Sequence, residues 1–213
     1  MEVRKVYLSL LLLTLSNELI NMGLIVWAGT QSNDPIQQTA WVAFWAATGY
    51  IFAIFLNLGD RFRVSRRILL FATIVSSGLA FLFPQMSILW GVSILIRNAI
   101  GQVAYSRFAT VVPELVDCNE VPNISKNAQI AATIGNGGSM LLSPFISTRF
   151  GINGVFLVNL SLIVVVLLLT LNSPWLNRSV LRGKAFLPAQ QASGWFNAIS
   201  LMLIITWGIY GTF

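Results

Sequence analysis

The 213-residue sequence has no histidine and a single cysteine, Cys118. The first absence removes the commonest metal ligand and the commonest general base. The second excludes a disulfide framework and leaves the redox compartment unread, so Cys118 reads as an inert loop thiol. Charge is scarce too: 9% of residues are charged, where a soluble domain carries about 25%. No GK[ST] phosphate loop follows the glycines at 135, 137 and 138, which lie in an apolar run and read as close helix packing. No metal-ligand cluster and no mid-span carboxylate pair are present. A membrane enzyme therefore has almost no support, and no cofactor is implied. What the chain has instead is 56% hydrophobic residues and a mean hydropathy of +0.76, the composition of a polytopic membrane protein. The net charge of +6 would suggest nucleic acid in a soluble protein. Here the basic residues fall between apolar runs, so topology explains them and no nucleic-acid partner is expected.

A helix needs about 20 apolar residues to cross a bilayer. Candidate spans run about 6–28, 40–58, 68–84, 87–112, 128–148, 154–171 and 194–213. The start, MEVRKVYLSLLLLTLS, has the basic and apolar regions of a signal peptide. It lacks a small-x-small cleavage site and runs into Asn17 and Glu18, so it reads as a retained first helix. With the N-terminus in the cytoplasm, Arg4, Lys5, Arg61, Arg63, Arg66, Arg67, Lys126, Arg178, Arg182 and Lys184 lie on the cytoplasmic side and only Arg149 lies opposite. That bias sets the orientation. The loop 29–39, without a basic residue, fits the outside. Trp27, Trp41, Trp90 and Trp195 lie near span ends and read as interface anchors. The sequons at Asn123, Asn159 and Asn177 fall at cytoplasmic or membrane positions and carry no reading.

The loop between spans two and three concentrates charge: Asp60-Arg61-Phe62, Arg63, then Arg66-Arg67. It resembles the signature loop of the major facilitator superfamily, roughly G-x-x-x-D-R-x-G-R-R. Leu56 stands where that pattern has its first Gly, Gly59 is displaced, the second Gly is missing and one residue is inserted before Arg66. Arg97 and Gly101 fit the family's Arg-then-Gly pattern in the fourth helix. Arg107, Ala109, Pro113, Glu114, Leu115, Val116, Pro122 and Asn123 look like the R-x-A-x-x-P-E-L-V and P-N-A-N stretch of members related to siderophore and macrolide exporters. The fifth span is similar to the family's antiporter motif in Gly135, Gly138 and Pro144, with Ser143 and Ser147 where Gly is usual.

The resemblance implies an all-α integral membrane fold. Residues 1–171 would form a six-helix major-facilitator half of two inverted three-helix repeats, 172–193 a cytoplasmic linker, and 194–213 a seventh transmembrane helix opening a second half. The chain would be part of a full-length transporter, a half-size subunit pairing with itself or another chain, or a derived subunit that has lost transport. The implied function is secondary active transport in the bacterial inner membrane: proton-coupled export of an amphipathic small molecule by alternating access. The alternative is a non-transporting membrane subunit with a structural or assembly role. Expected partners are membrane lipids, a small-molecule substrate, and a second half, a homodimer or a larger membrane complex. By the resemblance, Asp60, Arg61, Arg66 and Arg67 form a charge cluster that helps to lock the inner gate.

Two ionisable side chains lie deep. Glu18 is about 18 Å past Val6 and Arg97 about 15 Å past Ser87 at 1.5 Å per residue, so both sit near the midplane of a core about 30 Å thick. A charge there costs at least about 2.5–3.5 kcal/mol and requires a cavity or a partner. The two would pair across the cavity, with Glu18 as a candidate proton carrier, or form a structural ion pair. Asn17 and Asn21 share one side of span one. Asn98, Gln102 and Tyr105 share a side of span four, and Asn136 lies in span five. They would line the cavity or make interhelical hydrogen bonds. Arg107 lies near the cytoplasmic end.

Overall fold

The computed structural model describes residues 2–31, 34–58, 64–115 and 120–177. Among the described residues the chain is helical, with no strand: α1 (Glu2–Gln31), α2 (Pro35–Leu58), α3 (Arg66–Leu79), α4 (Ile88–Ala109), the short α5 (Val112–Leu115), α6 (Val121–Thr170) and a 3-10 turn, Pro174–Asn177. The starts are written in the sequence. The Asp34 carboxylate accepts the Gln37 amide at 3.2 Å ahead of Pro35, and the Ser65 and Ser87 hydroxyls accept from Ile68 and Trp90. Each meets one orphan amide of a first turn. Helices α1, α2, α4 and α6 are long and apolar enough to cross a membrane, which is what a membrane protein requires.

Straight, α6 would be about 75 Å long, more than twice the thickness of a bilayer core. It breaks at Gly151, whose φ of +65° and ψ of −167° only glycine adopts freely. The contacts with α1 show that the chain turns back there. Gly135 lies against Leu11 and Ser143 against Leu19, so the first limb runs parallel to α1. Val155 then packs on Gly23 and Asn159 on Ser16, so the second limb runs antiparallel. The fifth and sixth spans expected at 128–148 and 154–171 are thus the two limbs, joined with almost no loop. The span expected at 68–84 has only its first part as helix, which gives way to turns after Leu79.

Helix α1 packs against both limbs of α6, and α4 packs against α2 and α3. The two sets of contacts match. Helix α2 lies against α4 where Gly49 meets Leu95, Asn98 and Ala99. The first limb of α6 lies against α1 where Gly135 meets Leu11, Thr14 and Leu15, the same positions displaced by 84 residues. Helices α1 and α4 are themselves antiparallel, crossing where Asn17 and Asn21 meet Gly101 and Asn98.

The core has two large parts separated by polar residues, and a small third one of Ala53, Leu69, Val103 and Ala104. At one end Leu19, Ile20, Leu24, Trp27, Val42, Trp90, Ile152 and Phe156 pack together; at the other, Val6, Leu10, Leu13, Leu70, Phe108, Ile163, Val166 and Trp175 do. Between them along α1, α3, α4 and the second limb lie Ser16, Asn17, Ser77, Arg97, Asn98 and Asn159, all buried. The tryptophans correct an expectation. Trp27 and Trp90 are buried, with Trp90 stacked on Trp41 at 5.9 Å and edge-on to Trp27 at 5.8 Å. They pack with one another because Gly91 lets the Trp45 and Trp41 rings close on its backbone. Trp195 lies outside the described residues.

A β-carbon on Gly135 would stand 2.6 Å from the Leu11 carbonyl oxygen, and one on Gly49 2.7 Å from that of Leu95; one on Gly137 would touch nothing within 4 Å. Gly49→Val and Gly135→Val are expected to lose about 2–3 kcal/mol through forced helix separation, while Gly137→Ala is neutral or slightly stabilising. Thermal unfolding of the three variants in detergent checks this.

Candidate functional site

The polar layer is a connected network. Arg97, on α4, is 1% exposed. Its Nη2 donates to the Ser16 carbonyl and hydroxyl at 3.3 and 3.2 Å, and its Nη1 to Asn98 Oδ1 at 3.2 Å. Asn98 Nδ2 donates to Asn21 Oδ1 at 2.9 Å, Asn21 Nδ2 to the Tyr50 hydroxyl oxygen at 2.5 Å, and the Tyr50 hydroxyl to Glu18 at 3.1 Å. Asn159, from the second limb of α6, donates to the Ser16 carbonyl and hydroxyl at 2.7 and 2.6 Å, and the Ser77 hydroxyl of α3 lies 3.0 Å from its Oδ1. Asn17 donates to the Gly101 carbonyl at 3.2 Å. Gly101 is needed there, because a β-carbon would stand 2.7 Å from Asn17 Oδ1. Five helices meet in this layer, which answers the cost of placing amides and a guanidinium in hydrocarbon.

The expected contact between Glu18 and Arg97 is corrected. The two make no ion pair within 4 Å, although each lies in the other's field. The reason is geometric. Ser16, two residues before Glu18 and so about half a turn round α1 on its buried side, takes the guanidinium, and Glu18, half-buried, faces Tyr50 of α2 instead. Asn17, Asn21 and Asn98 lie in the layer and make hydrogen bonds between helices. Gln102 and Tyr105 are half-buried beside it on α4, and Asn136 is exposed on the first limb of α6 and takes no part in it. Tyr50, Ser16, Ser77 and Asn159 are the members the sequence reading missed. A lone tyrosine or asparagine in an apolar run was the available signal, since each must find a partner there.

A second polar cluster lies at the end of the bundle where α1 begins. Arg66 has a fully buried side chain. Its Nε donates to the Arg107 carbonyl at 2.8 Å, its Nη1 to the Trp175 carbonyl at 2.9 Å, and its Nη2 to Thr110 Oγ1 at 3.3 Å and Glu114 at 2.6 Å. This fork ties the start of α3 to the end of α4, to α5 and to the 3-10 turn. Trp175 stands edge-on to Phe108 at 5.5 Å and donates its indole N–H to Glu2 at 2.8 Å, while Lys5 pairs with the other Glu2 oxygen at 2.8 Å. At the start of the expected linker, Pro174–Asn177 form the 3-10 turn, whose Trp175 and Leu176 pack in the core. Arg67 is exposed over the Phe71 ring. Of the expected gate loop, Asp60 and Arg61 lie outside the described residues; Arg66 is buried away from the surface and acts as a staple between helix ends.

No metal-ligand cluster occurs among the described residues. No family model, no curated protein and no solved structure matches the chain.

Two outcomes follow from the end cluster. Arg66→Lys keeps the charge but loses the planar fork, leaving buried carbonyls unmet at about 1–3 kcal/mol each. It should cost about 3 kcal/mol in denaturant melts, against about 1 kcal/mol for Glu114→Gln at its more exposed site. Glu2 precedes the apolar run of α1. The Lys5 ammonium, then the Ser173 hydroxyl and the Trp175 indole, hold its carboxyl down to about 2. A carboxyl lowered by folding adds stability above its ordinary value of 4.5 that is lost as pH falls through the folded value. The difference in melting temperature between the native chain and Glu2→Gln should thus be constant from pH 7 to about 5 and shrink between pH 4.5 and 2.

Proposed function

We propose that the chain is the N-terminal six-helix unit of a major-facilitator-type secondary transporter, exporting an amphipathic small molecule in exchange for protons by alternating access. The observation that carries this reading is the polar layer itself. Two opposite charges, Glu18 and Arg97, stand mid-way along antiparallel helices, linked but not in contact. A purely structural role would be met more cheaply by apolar packing, and intramembrane ionisable residues mark substrate and proton routes.

The packing supports the same reading. Helices α1, α2 and α3 and the trio of α4 and the two limbs of α6 make matching contacts with opposite chain sense, as in an inverted repeat. Asn17 meets Gly101, its counterpart under the same displacement of 84 residues, so an axis relating the two trios would pass through the polar layer. Inverted-repeat transporters place their substrate and ion sites near such an axis. The remaining half of the cavity would come from a second six-helix unit.

The second reading, a non-transporting subunit, is favoured by Ser143. Its hydroxyl bonds to the Ser139 carbonyl at 2.6 Å and to the Leu19 carbonyl of α1 at 3.4 Å where the family carries a glycine, tying the first limb of α6 to α1. The two readings separate in everted vesicles from cells making the natural gene product, with ethidium as the amphipathic probe. Proton-driven ethidium accumulation, lost in Glu18→Gln at unchanged protein level, is the expected result. No accumulation by the native protein, or full accumulation by folded Glu18→Gln, removes the proton-coupled reading.

A further inference from the structure

Tyr50 was not singled out by any sequence motif, yet it is the residue that touches Glu18. What it does follows from the donors and acceptors along the path to Arg97. A guanidinium can only donate, so the Asn98 oxygen must face it, as it does at 3.2 Å. The Asn98 amide nitrogen then has to donate onward, and it meets Asn21 Oδ1 at 2.9 Å. Asn21 in turn has only its nitrogen left to offer, and it meets the Tyr50 oxygen at 2.5 Å. The Tyr50 hydroxyl, accepting from Asn21, points its own hydrogen at Glu18, 3.1 Å away. An ionised carboxylate can only accept. Every link therefore runs one way, from the group that must donate to the group that must accept.

Resting on the reading of Glu18 as the proton carrier, we propose that Tyr50 is a positioning residue. Through Asn21 and Asn98 it makes the proton affinity of Glu18 depend on Arg97, although the two charges never touch. The arrangement fits an ionised Glu18. A protonated Glu18 leaves the Tyr50 hydroxyl a neutral and weaker acceptor, and adds an O–H that no member of the chain accepts. Hydrogen bonds in series reinforce one another in a medium of low dielectric, so an interruption at Asn98 weakens the hold on the carboxylate even though Asn98 does not contact it. The charged and titratable groups facing Glu18 are Tyr50 from α2 and Arg97 from α4. Helix α6 carries no ionisable side chain between Arg149 and its end, nor between Lys126 and Arg149.

The test is carbodiimide labelling of Glu18 in the membrane-embedded full chain at pH 7, followed by peptide mass spectrometry. The reagent reacts with the protonated carboxyl, and Glu18→Gln identifies the labelled position. Tyr50→Phe should label several-fold faster than the native chain. Asn98→Ala, which leaves the Tyr50–Glu18 contact in place, should label about twofold or more faster; Asn98→Leu, closer in size, serves if Asn98→Ala does not fold. Tyr105→Phe, outside the chain, should label at the native rate. A rise in Tyr50→Phe with none in the asparagine variants overturns the link to Arg97. Native labelling in Tyr50→Phe, or an equal rise in Tyr105→Phe, overturns the role of Tyr50. The labelling needs no transport, so its failure and that of the transporter reading are separate results.

Discussion

The structure depends on how one guanidinium is accommodated at mid-height in an apolar bundle. Arg97 can only donate hydrogen bonds, and hydrocarbon offers no acceptor. The acceptors must come from neighbouring helices at fixed positions: the Ser16 carbonyl and hydroxyl from α1 and Asn98 from its own helix. Ser16 also takes the Asn159 amide, so α4 and the second limb of α6 are held to the same point on α1. The helix register follows. A shift of α4 by one residue would carry Arg97 off Ser16 and Gly101 off Asn17, placing a β-carbon where only glycine fits. Apolar packing at the two ends supplies adhesion; the polar layer supplies position, as interhelical hydrogen bonds do in membranes.

Much of the fold was legible because hydropathy is a direct readout of what a bilayer tolerates. The long helices were found by counting apolar residues, and the depth of Glu18 and Arg97 by multiplying positions by the helical rise. Three features were not legible, each for a physical reason. Gly151 lies amid apolar residues, so the reversal between the limbs of α6 depends on one left-handed φ that no composition reveals. The tryptophans at span ends follow the rule for interface anchors, yet Trp27 and Trp90 are buried in the core, and Gly91 lets the Trp41 and Trp45 rings close on its backbone. The partner of Glu18 was assigned by sign of charge alone. Distance along two helices gives height, while angular position around them decides contact, and Ser16 already occupied the guanidinium.

The two buried arginines show how differently one side chain can be used. Arg66 has a donor bond to each of Arg107, Trp175, Thr110 and Glu114, and a carboxylate 2.6 Å away compensates its charge. Such a site has one stable arrangement, and it holds helix ends together. Arg97 meets only neutral acceptors, and its Nε has no hydrogen-bond partner. Its compensating charge is three side chains away. An unmet buried donor costs about 1–3 kcal/mol, a cost with no structural return, and such costs collect where a group must change partners.

On the proposed reading of Glu18 as a proton carrier, a contact ion pair between Glu18 and Arg97 would be worse for proton exchange. It would hold the carboxylate ionised in a buried site with no route for a proton. Placing Tyr50, Asn21 and Asn98 between the charges leaves Glu18 half-buried and joined to Arg97 only through neutral side chains. The direction of that chain is fixed at one end by a group that never gives up its charge and at the other by one that can. A change at the second end must therefore be felt along α1, α2 and α4 together, the three helices whose relative positions the layer sets. On the proposed transport reading, proton binding and helix position would be parts of one equilibrium, as a coupled transporter requires.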